Sequence, residues 1–181
     1  NFTFQRNPQR LLELCGLSAV RNRREERHFL EKARTLDAGA FRPLVLVVGG
    51  FSDQFLGNSY AVSARYPADL RAKHDVWFRE HYEGRKMGAL VKFYAAKGKP
   101  IVLIGHSWGG DAVVNAVARK TGVPIELLIS LDPVSRKGPP RAKLPNVRRW
   151  LNIHIDYGQS TWLDISNLVA RIGGPWEGVK A

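Results

Sequence analysis

Ser107 sits in Gly105-His106-Ser107-Trp108-Gly109, immediately after the apolar run Ile101-Val102-Leu103-Ile104 and shortly before the helix-forming residues 111–118. A serine hydroxyl attacks a carbonyl carbon when a base takes its proton and fixed donors receive the developing oxyanion. Gly-x-Ser-x-Gly between a strand and a helix suits that chemistry. The sharp turn pushes the serine into a strained backbone conformation, and the flanking glycines leave room for it. The helix N-terminus beneath the serine favours negative charge. The other residues with chemical potential fall at the ends of apolar runs: Gly49-Gly50-Phe51, His81, Asp132, and His154 with Asp156.

Those residues need a sheet to bring them together. Apolar runs predict strands at 44–48, 75–78, 101–104, 125–131 and 150–155. Between them, 87–97 reads as a helix with Leu90, Val91, Phe93 and Tyr94 inward and Gly98 as its stop. Runs apolar on both faces and alternating with helices predict a three-layer α/β/α domain with a mostly parallel sheet of about five strands. In such sheets the working groups collect at the carboxyl ends of the strands. Residues 1–41 differ: a leucine cluster at Leu11, Leu12 and Leu14 is followed by alternating basic and acidic residues around Phe29, Leu30, Ala33 and Leu36. They read as a basic helical segment packing on a catalytic domain at 42–181.

The 181 residues suffice for one domain with a real core. An apolar content of 44% excludes a disordered chain, and no run reaches the ~20 residues that span a bilayer. The N-terminus carries no secretory signal pattern. One cysteine, Cys15, excludes an internal disulfide, and no Cys/His cluster has zinc-ligand spacing. The compartment and the oligomeric state stay open. Lys and Arg number 28 against 16 acids, a net charge of +12 that favours anionic partners. Arg136, Lys137, Arg141, Lys143, Arg148 and Arg149 lie in an acid-free stretch with three prolines, read as a stiff surface loop. No nucleic-acid-binding motif is present, and Trp77, Trp108, Trp150 and Trp162 fall mostly in or beside the strands, where aromatics are core. These residues therefore argue against a nucleic-acid partner.

From residue 42 to about 160 the chain resembles the α/β-hydrolase superfamily in its lipase and esterase-like branch, as a minimal or C-terminally incomplete member. The specific part of the resemblance is the strand, Gly105-x-Ser107-x-Gly109 and the helix that follows. It implies Ser107 as nucleophile and the N–H of Trp108 as one oxyanion donor. The second donor is Gly50 or Phe51, of which Phe51 is taken. For the acid it implies Asp132, in Leu131-Asp132-Pro133-Val134, with Asp156 on the next strand as the alternative. No cofactor or metal is required.

The family places its histidine after the last strand, and no histidine follows His154. Three alternatives stand: a histidine beyond Ala181, His154 itself, or a degenerate fold that binds without turnover. His106 reads as an elbow packing residue, and His28, His74 and His81 as surface or structural. The expected function is hydrolysis of carboxylic esters, including lipid or phospholipid esters, through an acyl-enzyme on Ser107. Contact with an anionic membrane through the basic loop is expected to accompany it. The alternatives are a thioesterase or amidase with the same triad, or a silent hydrolase fold serving as a protein-binding module.

Overall fold

Leu44–Gly49 buries all six of its residues, so it needs a hydrogen-bonding neighbour on each edge and cover on each face. The structure, a computed structural model, describes residues 33, 35–50, 69, 72–135, 138, 140, 142–154 and 176. Within them Leu44–Gly49 is β1, and it pairs in parallel with β2 (Asp75–Glu80) and β3 (Ile101–His106). β4 (Ile125–Leu131) adds to β3, and β5 (Val147–Ile153) adds to β4, again in parallel. The order β2-β1-β3-β4-β5 means that the chain steps out from β1 to β2, then crosses back to β3. A reversal of that kind opens a crevice at the carboxyl ends of β1 and β3.

Helix α1 (Gly84–Ala96) connects β2 to β3. Helix α2 connects β3 to β4 and has three parts: an α-turn at Trp108–Asp111, a π-helical stretch at Ala112–Ala118 and an α-turn at Arg119–Thr121. Both crossovers move in the same direction across the sheet, so right-handed connections put both helices on one face. They do pack on each other, with Leu90, Val91, Val113 and Val117 against Leu46, Val48, Ile101 and Leu103. Gly98 ends α1 in the left-handed region at φ 67°, and Lys99 N–H folds back onto the Tyr94 carbonyl at 3.0 Å.

The parallel five-stranded α/β sheet agrees with the sequence expectation. On the face opposite the helices Val76, Phe78, Ile104, Leu127 and Ile129 are half-buried; the third layer expected there lies outside the described residues. Of the N-terminal segment only Ala33 and residues 35–41 are described; Ala33 and Phe41 are buried, and Lys97 Nζ donates to the Leu36 carbonyl at 2.7 Å. No helix among the described residues is long and apolar enough to cross a membrane.

Several boundaries move: β1, β2 and β3 run on to Gly49, Glu80 and His106, β5 ends at Ile153 rather than 155, and the starts of α1 and β5 come earlier than expected. α1 begins three residues before the expected Met87, at Gly84, where Glu83 accepts from the Glu80 N–H and pairs with Lys86. β5 begins at Val147, not at 150, because a strand at the edge of the described sheet tolerates arginine on either face: Arg148 meets Glu126 on β4 and Arg149 is exposed. Those two arginines therefore belong to a strand and not to the basic loop.

At the opposite end of the sheet from Ser107, Asp75 opens β2 at 3% exposure. Its carboxylate accepts from Arg42 N–H at 3.0 Å and from the Tyr94 hydroxyl at 2.9 Å, and Trp77 Nε1 donates to that same hydroxyl. Burial pushes the Asp75 carboxyl above its usual range against these hydrogen bonds, and burial with the neighbouring carboxylate pushes Tyr94 well up. A raised folded-state value means the folded protein holds the Asp75 proton more tightly than the unfolded chain does. That contribution is complete below the unfolded carboxylate value of about 4 and is lost as pH rises through the folded value. Asp75→Asn should remove this segment of the profile. Urea unfolding across a pH series should show the variant's stability rising relative to the parent's over that window. A constant difference would place the Asp75 titration elsewhere.

Candidate active site

Ser107 has φ 53° and ψ −121°, a region that costs a non-glycine residue on the order of 1–3 kcal/mol. The surroundings hold it there. Its N–H donates to the Leu131 carbonyl at 2.9 Å, which extends the β3–β4 ladder one residue into the turn. Its carbonyl accepts from Gly110 N–H at 2.9 Å and from Val134 N–H at 3.3 Å. The serine is thus fastened to the start of α2 on one side and to the segment after β4 on the other.

The glycines around it are required by contact. A Cβ on Gly50 would lie 2.9 Å from Ser107 Cβ and 3.3 Å from Oγ, so Gly50 lies directly against the serine side chain. One on Gly109 would fall 2.7 Å from the Gly49 carbonyl oxygen, and one on Gly110 would fall 2.7 Å from Pro133 Cβ. Gly105 faces the Gly109 backbone just as closely. The helix therefore rises from the sheet with its first turn pressed between the ends of β1 and β4. The sequence anticipates Gly50, Gly105 and Gly109. The contact between Gly110 and Pro133 is tertiary and left no sequence signal.

Asp132 directly follows β4 and adopts φ 45°, a left-handed conformation that Asp and Asn tolerate best among residues with a side chain. Its N–H donates to the Ile153 carbonyl at the end of β5. Pro133 next to it packs on Gly110, and its carbonyl accepts from Trp176 N–H at 3.1 Å. Trp176 is fully buried and meets the Trp150 ring edge-on at 6.5 Å. Trp150 Nε1 donates to Ser130 Oγ at 3.0 Å, and Ser130 donates to Asn152 Oδ1 at 2.6 Å. Gly105, Ser130 and Asn152 lie side by side across β3, β4 and β5, so this polar row runs beneath the elbow.

Trp176 is the important residue that the sequence reading missed. Its neighbourhood of Gly and Pro reads as a loop, and its partner Trp150 is 26 positions away. Trp176→Ala should cost about 3–5 kcal/mol, the usual range for emptying a fully buried tryptophan site. Chemical denaturation measures this, and Trp176→Phe should recover part of the loss. An unchanged midpoint would show that the indole carries no packing load.

Trp108 opens α2 with its ring half-buried and its Nε1 buried without an acceptor among the described residues. Its ring centre lies 6.2 Å from that of His81, which follows β2, and His81 also meets Tyr82 edge-on at 5.4 Å. The sequence implies a surface or structural role for His81; the structure sets it beside Trp108, the residue that follows Ser107. His154 lies one residue past β5 and is exposed. Each of these histidines stands two strands from β3, roughly 10 Å at the usual strand spacing, with β1 or β4 between. Phe51 and Asp156 lie outside the described residues.

Ser107, Gly50 and the Trp108 backbone thus meet at the β1/β3 crevice, with Asp132 at the neighbouring β4 tip. Such an arrangement can present a hydroxyl to an electrophilic carbon with backbone donors close by. Comparison of the chain with family models, with curated proteins and with solved structures finds no match.

Proposed function

We propose that the protein is a serine hydrolase of the α/β-hydrolase type that cleaves carboxylic esters through an acyl-enzyme on Ser107. The observation that carries this reading is the positive-φ turn of Ser107, at the switch point of a parallel sheet and pressed against Gly50. A serine in an ordinary turn would not hold so costly a conformation between two glycine-bearing segments.

In this reading Ser107 Oγ attacks the acyl carbon while a histidine takes its proton. Trp108 N–H and an N–H of the segment 50–51 receive the oxyanion. The histidine returns the proton to the leaving alcohol, and water releases the acyl group by the same steps in reverse order. Asp132 holds the imidazole, in preference to Asp156. Lipid or phospholipid esters are the substrate class that the +12 charge suggests. Thioesters and amides would engage the same groups.

The test is labelling by a fluorophosphonate probe together with turnover of a short-chain p-nitrophenyl ester, its thioester and its anilide. Labelling at Ser107 with the ester turned over fastest supports the reading. Labelling with a faster thioester moves the activity to that bond. A protein that neither labels nor turns over any of the three is a silent fold.

A further inference from the structure

A groove of about 840 Å³ lies along the outer flank of α2, between that helix and the crossover from β4 to β5. Asp111, Asn115 and Arg119 line it from the helix, and Pro140, Lys143 and Leu144 from the crossover. Its volume falls within the range of sites for drug-sized and cofactor-sized molecules, roughly 300–1,000 Å³. The base is apolar: Leu144 is buried and Ala116 half-buried. The end of the crossover nearest β5 is anchored, because Asn146 Nδ2 donates to the Ala118 and Val123 carbonyls at 2.9 and 2.8 Å.

The charges are divided along its length. Arg119 and Lys120 at the C-terminal end of the helix, and Lys143 on the crossover, are exposed and make no hydrogen bond or ion pair among the described residues. The single lining acid, Asp111, stands about two helical turns away, and its carboxylate accepts from Asn115 Nδ2 at 2.7 Å. The groove therefore offers three uncommitted cations, an apolar floor and, about two helical turns from Arg119, an amide–carboxylate pair.

We propose that this groove binds a soluble phosphorylated small molecule of nucleotide size, with its phosphates on Arg119, Lys120 and Lys143. Guanidinium matches phosphate oxygens with two parallel N–H groups, and the two lysines add point charges. The apolar floor suits a ring system, and Asp111 with Asn115 can pair with its polar edge. A concave groove fits a discrete ligand better than the plane of a bilayer. The site is separate from Ser107 and does not depend on the hydrolase reading.

Calorimetric titration with ADP and with inorganic pyrophosphate tests this, using the full chain. ADP should bind, and more tightly than pyrophosphate because only ADP covers the floor. Arg119→Ala, Lys120→Ala and Lys143→Ala combined should weaken ADP by at least about tenfold, the scale of one lost charge-assisted hydrogen bond. A charge-matched control away from the groove, Lys73→Ala, Lys99→Ala and Arg149→Ala, should stay within about twofold at physiological ionic strength, where distant exposed charges are screened. All six residues are surface-facing, and circular dichroism should show both triple variants folded. Equal losses in the two triples would reduce the effect to net charge and overturn the proposal. So would absence of ADP binding, or cation-dependent binding seen only with phosphatidylglycerol vesicles.

Discussion

Ser107→Ala should abolish fluorophosphonate labelling and lower ester turnover by about 10³–10⁶-fold, because nucleophile, base and acid act as one unit and the loss of any one removes most of the rate. A second variant separates chemistry from strain. Ser107→Gly removes the nucleophile equally well, but glycine occupies φ 53° without the penalty a side chain incurs. It should be more stable than Ser107→Ala by about 1 kcal/mol, which for a chain of this size is a rise of roughly 2–4 °C in melting temperature. The two readouts together describe a residue that lowers stability in exchange for reactivity. Near-parental turnover by either variant would remove the hydrolase proposal. Equal stabilities would show that the turn is relaxed in solution.

The parts of the fold that were legible are those where one local property decides the outcome. β1, β3 and β4 are apolar runs that only a covered parallel sheet can bury, and the structure places all three at its centre. The elbow was legible because glycine spacing reports a backbone requirement directly, as the contacts of Gly50, Gly105 and Gly109 show. β5 was displaced because Arg148 and Arg149 look like loop residues until a strand opposite supplies Glu126. The reading of six loop cations lost two of its members for the same reason.

Trp176 and the Ser130–Asn152 row could not be seen, because neither has a local pattern. Each becomes meaningful only when β4, β5 and Trp176 are side by side. His81 shows the limit most clearly. A lone histidine past a strand carries no sequence information about its neighbours, and only the crossover from β2 over β1 to β3 brings it to Trp108.

Asp132→Asn should leave the fold intact and lower kcat by up to about 10⁴-fold with little change in KM. Asparagine keeps the shape of the side chain and tolerates the left-handed conformation at φ 45°, so the N–H to the Ile153 carbonyl and the packing of Pro133 on Gly110 should persist. What changes is the charge. Asp132 ends the strand beside β3, and Leu131 and Val134 on either side of it both hydrogen-bond the Ser107 backbone. In the proposed triad a carboxylate there would stabilise an imidazolium and fix the tautomer that points its free nitrogen at Ser107. Removing it lowers the pKa of the base, so the acidic limb of the residual kcat/KM profile should move to lower pH. A purely structural role would reduce the rate without moving that limb. Asp156→Asn serves as the comparison. If it produces the larger rate loss and the shifted limb, the acid belongs to the strand after β4 and the assignment to Asp132 fails.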